Sequence, residues 1–275
     1  MSFDPDPVRA YFQRLHACIL KVMEGIERNA GSTAQFQKKP WQRDGGGGGL
    51  ACTMTGDIFE KIGVNISHVE GPTPNTFKAQ FQTKAKTFHA GGVSFVAHPR
   101  NPLVPAGHMN VRMISFDRAW FGGGSDLTPT FAFEEDTAHF HQALRHACAP
   151  FSPNAYRDYA KACDAYFYLP HRDEPRGVGG IFFDQLPCDQ DSFALVKRTG
   201  HAFAKVYAEL VRRHQRDPWG EAEKQAQLRK RGRYAEFNLL YDRGTRFGLD
   251  SGGNTEAILM SLPPLAAWPV PDETR

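Results

Sequence analysis

GGVSFVAHPRNPLVPAGHMNVRMISF, residues 91–116, contains two short segments of alternating polarity on either side of a loop rich in proline. Strand side chains point alternately to opposite faces, so GGVSFVAHP and HMNVRMISF predict two strands. The intervening RNPLVPAG suits a hairpin connection longer than a tight turn. If the strands pair with their polar faces together, five polar side chains meet on one face of the sheet: Ser94, His98, His108, Asn110 and Arg112.

This polar face has two interpretations. One face of an antiparallel sheet commonly meets water, and its polar residues then have no further role. Against this, Ser and Asn are poor strand formers, so their presence at these positions favours a site. The pattern alone leaves a solvated face and a binding site as equal alternatives.

The rest of the chain predicts an antiparallel sheet with helices packed around it. Further strand-like or strand-adjacent runs are DIFEKIGVNISHVEG (57–71), GVGGIFFDQL (177–186), GRYAEFNLLYDRGTRFGLD (232–250) and TEAILMSLPPLAAW (255–268). Helical spacing or helix-start signals mark residues 5–29, 133–149, 152–167, 192–214 and 217–231. Neighbouring short strands and separate helical blocks predict an α+β fold, and we expect one domain over residues 1–275.

A run of five glycines interrupts this pattern in QRDGGGGGLACTMTG, residues 42–56. Consecutive glycines cost too much conformational entropy for a stable helix or strand. No Gly-Lys-Ser/Thr follows them, which disfavours a phosphate-binding loop. We therefore expect a mobile loop here that could act as a lid.

The composition excludes several classes of protein. The net charge of +3, with Lys and Arg spread along the chain, does not indicate nucleic-acid binding, and no apolar run approaches the length of a membrane helix. The five cysteines form no CxxC pair, which disfavours a structural zinc site or an iron–sulfur cluster. Because the N-terminus resembles neither a signal nor a transit peptide, we expect a cytoplasmic protein.

Arginine, histidine and one aspartate supply further candidate site residues. Arg offers bidentate donors that match carboxylates, so several arginines around one cavity would suit a polyanionic ligand. The arginines in or beside strand-like stretches are Arg112, Arg172, Arg176, Arg231, Arg233, Arg243 and Arg246, and we expect at least half to be solvated. Asp242 could enter a cavity from a strand or serve as a turn residue. A divalent-metal site of His98, His108, His141 and His171 is a further alternative without a tight ligand motif.

Several longer motifs resemble one known family, the oxygen-dependent coproporphyrinogen-III oxidases, over nearly the whole chain. The similar motifs are EKIGVNISHVEG (60–71), WFGGGSDLTP (120–129), YFYLPHRDEPRGVGGIFFD (166–184), GRYAEFNLLYDRGTRFGL (232–249) and TEAILMSLPP (255–264). The resemblance implies a large antiparallel β-sheet flanked by α-helices on both sides, and a homodimer with residues 234–269 in its dimer-forming part. It also implies oxidative decarboxylation of two propionate groups of coproporphyrinogen III to vinyl groups in haem biosynthesis. O2 would be the acceptor, and protoporphyrinogen IX, CO2 and H2O2 the products.

The resemblance further implies roles for individual residues. His108, as proton donor, and Asp242, as a carboxylate facing pyrrole N–H groups, are the candidate catalytic residues. The implied substrate-binding residues are Ser94, Asn110, Val111, Arg112, Arg243, Gly252, Gly253 and Asn254. The four histidines named above match positions proposed to hold a divalent metal in bacterial members, whereas other members work without metal or organic cofactor. We therefore expect no organic cofactor and treat the metal as optional.

Two other functional classes stay open beside this enzyme. A metal-dependent oxygenase with two histidines and a carboxylate would lose its activity on chelation. A non-catalytic tetrapyrrole-binding protein would bind the same ligand and never form product. The oxygen-independent route to the same product uses a Cys-ligated cluster, which the cysteine spacing does not support.

Overall fold

The computed structural model of the chain describes residues 6–250, 252 and 254–269. Its helices are α1 (Asp6–Asn29), α2 (Asn75–Phe81), α3 (Glu134–Cys148), α4 (Ala155–Tyr166), α5 (Gln190–His214), α6 (Glu221–Leu240), α7 (Arg243–Asp250) and α8 (Thr255–Ile258), with a 3-10 turn at Leu259–Ser261. Its strands are β1 (Gln37–Gln42), β2 (Gly47–Met54), β3 (Phe59–Pro72), β4 (Thr87–Pro99), β5 (Ala106–Ser115), β6 (Ala119–Thr128), β7 (Tyr168–Leu169), β8 (Glu174–Pro175) and β9 (Gly180–Pro187).

Within these residues, seven strands form one antiparallel sheet in the order β1-β2-β3-β4-β5-β6-β9, and β7 pairs with β8 separately. The predicted hairpin is confirmed, because β4 and β5 are paired neighbours. Ser94 lies opposite Asn110, and Val96 lies opposite His108. The polar sides of the two strands therefore coincide, and the α+β prediction is confirmed.

The two faces of this sheet have different coverings. We call the face that carries Ser94 and Asn110 the polar face, and the opposite one the core face. The core face packs against α1, α3 and α5 in one large buried apolar cluster. Strands β4 and β5 contribute to this cluster Val93, Phe95, Met109 and Val111. Alternation along the strand thus assigns odd-numbered residues of this hairpin to the core.

The polar face is covered by the C-terminal helices and by α2. The Asn65 side chain on β3 donates a hydrogen bond to the Ala257 carbonyl in α8, with an N–O distance of 2.6 Å. The 3-10 turn comes so close to β3 that a Cβ at Gly63 would collide with the Met260 sulfur. With helices on both sides of the sheet, the predicted architecture is confirmed.

Aromatic clusters bound the polar face at its two ends. At one end, Phe77 of α2 stacks on Phe247 of α7 with a centroid distance of 4.3 Å. At the other end, Phe167 after α4 packs against Phe237 of α6. The half-buried side chains of His108, Asn110 and Arg112 lie on the strand between these clusters.

The expectation of a loop over the five-glycine run was wrong for Gly47 to Gly49, which belong to strand β2. β2 begins at Gly47 and pairs with β1 on one edge and β3 on the other. Gly46 and Gly47 have φ angles of +117° and +77°, which only glycine adopts readily, so the turn before β2 requires them. Hydrogen bonding along both edges of the strand outweighs the entropic cost that the composition suggested.

Residues 232–250 and 255–268 were expected to be strands or strand-adjacent segments, and the strand alternative was wrong. Residues 232–240 continue helix α6, and α7 begins at Arg243. Short apolar runs do not distinguish a buried strand from a buried helix, and α6 buries Tyr234, Phe237 and Asn238 at helical spacing. Asp242 therefore lies at a junction between two helices rather than on a strand.

Candidate active site

A row of polar side chains crosses three central strands on the polar face. Asn65 lies opposite Ser94, which in turn lies opposite Asn110, and all three are half-buried. Arg112 continues the row along β5, with Gly122 opposite it on β6. A Cβ at Gly122 would lie 2.9 Å from the Nε and Cζ atoms of Arg112. The glycine therefore gives the guanidinium group space to lie against the sheet.

His108 is oriented by a buried ion pair. Its Nδ1 lies 2.8 Å from Asp126 Oδ1, and Asp126 Oδ2 accepts a 2.6 Å hydrogen bond from Arg176 Nη2. Burial alone would raise the pKa of Asp126, but Arg176 and His108 outweigh burial and hold it below the usual range. An ionised carboxylate on Nδ1 keeps a proton on that atom and leaves Nε2 for the reacting molecule.

Arg176 is almost completely buried among aromatic rings. Its guanidinium carbon lies 3.9 Å from the ring centroid of Phe167, 4.7 Å from that of Tyr234 and 4.8 Å from that of Phe237. These cation–π contacts and the Asp126 carboxylate offset the cost of burying the charge. Phe167 also packs edge-on against the His108 ring, at 5.7 Å between centroids, so the same cluster holds the imidazole in place.

Asp242 immediately precedes helix α7 and belongs to the same electrostatic cluster as His108. Its Oδ2 accepts hydrogen bonds from the Thr245 backbone N–H and hydroxyl, at 2.9 and 2.7 Å, and its Oδ1 accepts one from the Tyr166 hydroxyl at 2.8 Å. Burial alone would raise the pKa of Asp242, but these hydrogen bonds and the nearby His108 hold it below the usual range. Asp242 is therefore an ionised hydrogen-bond acceptor and a weak base.

Two arginines flank one aromatic ring at the edge of this cluster. The guanidinium carbons of Arg112 and Arg243 lie 6.0 and 5.7 Å from the ring centroid of Phe182. Arg112 donates to Asn110 Oδ1 at 3.0 Å and pairs with Asp184 at 3.1 Å. Arg243 is exposed. The arrangement presents two cationic groups beside the polar row, as an anionic ligand requires.

The structure does not assemble the four predicted metal-binding histidines into one site. His98 is fully buried with its Nε2 2.9 Å from the Ser261 carbonyl oxygen, and burial lowers its pKa to about 3. His108 is paired with Asp126 as described above. In the part of the chain that the structure describes, no group of three clustered donor side chains includes any of the four histidines.

The other two histidines of that set have separate partners. His141 lies between the Tyr156 hydroxyl and the Val178 carbonyl, at 2.8 and 2.9 Å. His171 lies 2.8 Å from Glu236 Oε2 and 2.9 Å from the Tyr241 hydroxyl. We therefore correct the expectation of a shared four-histidine site, because each imidazole outside the hairpin is occupied by its own hydrogen bonds.

Val111 was predicted to bind substrate as part of the segment from Asn110 to Arg112, and the structure places its side chain on the core face. Its side chain is fully buried in the core-face cluster. Neighbouring side chains on a strand point to opposite faces, so Val111 could contact a ligand on the polar face only through its backbone.

The predicted glycine–asparagine turn lies between α7 and α8. The Asn254 side chain accepts a 2.9 Å hydrogen bond from the Ala257 N–H and so caps α8. Gly252 has a φ of +69°, and a Cβ there would lie 3.9 Å from Arg43 Nε. Gly253 lies outside the described residues.

A separate cavity of about 760 Å³ lies on the core face, between the start of α1 and the sheet. Its charged lining residues are Arg9, Asp6 and Glu70. With one guanidinium group against two carboxylates, this cavity does not suit a ligand that carries several carboxylates. The two guanidinium groups beside the polar row, Arg112 and Arg243, therefore make the polar face our candidate for the anion-binding site.

Sequence reasoning overlooked several residues of the site, among them Asp126 and Tyr166, and took Arg176 only as one arginine of seven. All three lie inside the quoted motifs. The sequence did contain one signal, since Asp126 is a charged residue in a strand of small and apolar residues. A charge buried in this way requires a partner of opposite charge. The partner itself, Arg176, is 50 residues away along the chain.

The fold and this site define a class: an α+β enzyme with a carboxylate-oriented histidine and two arginines on a polar sheet face, suited to proton transfer on an anionic substrate. The family model for Coproporphyrinogen III oxidase matches residues 7–274, and the chain belongs to this family. It is 46% identical over 269 residues to the oxygen-dependent coproporphyrinogen-III oxidase of Rickettsia bellii (strain OSU 85-389), covering 94% of this chain and 96% of that protein. It is 47% identical over 264 residues to the protein of the same name from Rickettsia akari (strain Hartford), covering 92% and 94%. The resemblance predicted from the motifs is thus confirmed.

Proposed function

We propose that the chain catalyses the oxygen-dependent oxidative decarboxylation of two propionate groups of coproporphyrinogen III, giving protoporphyrinogen IX, CO2 and H2O2 in haem biosynthesis. The observation that carries this proposal is the arrangement on the polar face. His108 is oriented there by Asp126, next to Asn110, with Arg112 nearby. The names of the relatives support the same reaction.

The proposed substrate has four carboxylates, and its binding requires cations and neutral donors. Arg112 and Arg243 bind propionates, for which their guanidinium groups supply paired N–H donors. Ser94 and Asn110 supply neutral hydrogen bonds in the half-buried row between the strands. Gly252 and Asn254 contact the substrate from the C-terminal part of the chain, and Gly253 is proposed as a third substrate-binding residue beside them.

The chemistry of each decarboxylation balances with O2 as the oxidant. A propionate loses a β-hydrogen and its C–CO2 bond breaks, which leaves a vinyl group and releases two electrons and one proton. O2 takes up the two electrons and two protons to form H2O2, so one further proton must be supplied. His108 supplies it from Nε2, since its Nδ1 is held by Asp126.

Asp242 acts on the pyrrole rings of the substrate during the same step. As an ionised acceptor, it receives hydrogen bonds from pyrrole N–H groups and increases the electron density of the ring, which favours electron transfer to O2. Its low pKa makes this role a better match than full proton removal. In this proposal the step uses O2 as co-substrate without an organic cofactor, and a divalent metal is not required.

The deciding experiment is conversion of coproporphyrinogen III by purified, EDTA-treated protein in air and under nitrogen. Protoporphyrin fluorescence after oxidation of the products is the readout. We expect product in air alone, with His108→Gln inactive as the control. Absence of product in air would favour a tetrapyrrole-binding protein, and activity that chelation abolishes and metal restores would favour a metal-dependent oxygenase.

We further propose a homodimer that forms through the C-terminal part of the chain. Of the large apolar side chains exposed in the described residues, most lie between positions 239 and 268: Leu239, Leu240, Leu249, Leu265 and Trp268. Exposed apolar surface of this kind is typical of protein–protein interfaces. Light scattering after size exclusion tests this, since Leu240→Glu should give monomer if the interface lies here.

The proposed setting is the cytoplasm, with residues 1–275 as one domain. All five cysteines are free, as a reducing compartment favours. Among the described helices, none combines the length and apolarity that crossing a bilayer requires.

A further inference from the structure

A second cluster of metal-binding side chain types lies on the core face, away from the proposed active site. His68 and Glu70 are on β3 and His89 is on β4, with Glu70 directly opposite His89. Residues two apart on a strand share a face, so all three side chains point to the same side. Glu70 Oε2 lies 3.1 Å from His89 Nδ1 and 3.7 Å from His68 Nε2.

We propose that His68, Glu70 and His89 form a binding site for a divalent transition-metal ion of the Zn²⁺ class. One ligand atom from each residue lies within 4.8 Å of the other two. Tetrahedral Zn²⁺ with bonds of about 2.0–2.1 Å separates its ligand atoms by about 3.4 Å. The two measured distances lie on either side of that value, so small side-chain rotations suffice to admit the ion.

The donor set and its surroundings suit such an ion. Two imidazoles and one carboxylate are common ligands of Zn²⁺ and of neighbouring first-row metals. Gly91 lies opposite His68, and a Cβ there would approach His68 Nδ1 to 3.4 Å, so glycine leaves the ring its space. The three side chains stay accessible, with 31%, 47% and 51% of His68, Glu70 and His89 exposed.

The site opens into the cavity of about 760 Å³ that the three residues help to line. The other charged residues of that cavity are Asp6 and Arg9, so the cavity carries one net negative charge when its histidines are neutral. This charge favours a cation. Three protein ligands leave a fourth position towards the cavity, where water or a small anion can bind the metal.

A pair of residues elsewhere in the chain offers a matched control. His139 Nε2 lies 2.9 Å from Glu209 Oε2, and both side chains are exposed to a similar degree. That pair has an imidazole and a carboxylate without a second imidazole. If any exposed His–Glu pair sufficed for metal binding, both places would bind, and the three-residue proposal would lose its basis.

The test is calorimetric titration of Zn²⁺ into the wild type and into His68→Ala, His89→Ala and the control His139→Ala. We expect one saturable site, weakened by about 10- to 100-fold or more in the first two variants and unchanged in the third, because a direct ligand costs at least as much as an outer-shell partner. Equal affinity in all four proteins, or no saturable binding, would overturn the proposal.

Two further measurements keep the proposal testable if a variant fails to fold, which circular dichroism would reveal. Co²⁺ added to wild-type protein should give the visible absorption of a tetrahedral centre, and Zn²⁺ should remove it. Anomalous diffraction from wild-type crystals soaked in Zn²⁺ should place a peak between His68 Nε2 and His89 Nδ1. A peak only elsewhere, or none, would contradict the assignment.

Discussion

The polar and core faces are built from the same strands, yet they follow different physical rules. Met109 is fully buried against the helices of the core face, whereas its neighbour His108 keeps 22% of its side chain exposed and pairs with a buried carboxylate. One residue step therefore separates a side chain that stabilises the fold from one placed for chemistry. The comparison teaches that changes on the core face should affect stability first, and changes on the polar face activity first.

The largest effect is expected from His108→Gln. Removing the proposed proton donor should lower kcat by about 10²- to 10⁴-fold, the usual range for general acid–base groups. The free energy of unfolding should change by no more than about 1 kcal/mol, because the glutamine amide can still hydrogen-bond Asp126. Steady-state kinetics and urea denaturation measure the two quantities, and a variant with wild-type kcat would remove His108 from the mechanism.

Arg176→Met should be an exception to this rule, because a change on the polar face should here lower stability as well as activity. Asp126 would be left as a buried carboxylate without its cation, and the free energy of unfolding should fall by about 3–5 kcal/mol. The double variant Asp126→Asn/Arg176→Met should recover much of this loss, since an uncharged pair carries no such penalty. Its activity should stay low because His108 loses its orienting carboxylate. A double variant with full activity would contradict the positioning role.

Met109→Ala tests the core face, where we expect a loss of stability with little change in activity. The cavity it leaves should cost about 2–5 kcal/mol of unfolding free energy. The kcat of the folded protein should stay within about twofold, as the side chain points away from the substrate. Kinetics below the melting temperature check this, and a large fall in kcat at unchanged stability would mean that the two faces are not independent.

Arg112→Lys should have a smaller effect that appears mainly in KM. Lysine keeps the charge and loses the bidentate geometry, and a hydrogen bond between charged groups is worth about 1.5–3 kcal/mol. We expect KM for coproporphyrinogen III to rise by about 10- to 100-fold with little change in kcat. An unchanged KM would place the propionates elsewhere.

His98 gives a prediction of another kind, a pH dependence of stability. Burial lowers its folded pKa to about 3 from the ordinary 6.5, so the folded state keeps it neutral while the unfolded state takes up a proton. Its contribution to stability is complete above pH 6.5 and is lost as the pH falls towards 3, by up to about 1.4 kcal/mol per pH unit. Denaturation curves of the wild type and His98→Asn between pH 7 and 4 should therefore converge on acidification.

Strand alternation allowed us to predict from the sequence which side chains share a face of the sheet. The sequence did not reveal where some of the helices form or which distant residues pair. The two-residue repeat of side-chain direction in a strand correctly placed Ser94, His108, Asn110 and Arg112 on one face, because the direction of each side chain follows from its position in the strand. It could not reveal that Asp242 caps a helix, since the apolar run before it fits a strand as well as a helix. The Asp126–Arg176 pair was also out of reach, because it joins residues that only the tertiary fold brings together.

The predictions for the glycine run and for the four histidines failed for related reasons. Gly47 to Gly49 are extended because two neighbouring strands hold them, a context that local composition does not contain. The histidines looked alike in sequence, but His98 and His141 each have their own hydrogen-bond partners.

A structure of the protein with coproporphyrin III, the stable oxidised form of the proposed substrate, tests the central claim most directly. The account predicts that the macrocycle lies on the polar face, with carboxylates on Arg112 and Arg243 and with His108 Nε2 facing a propionate-bearing edge. A macrocycle bound instead in the core-face cavity beside Arg9 would contradict the division of the sheet into a stabilising and a catalytic face.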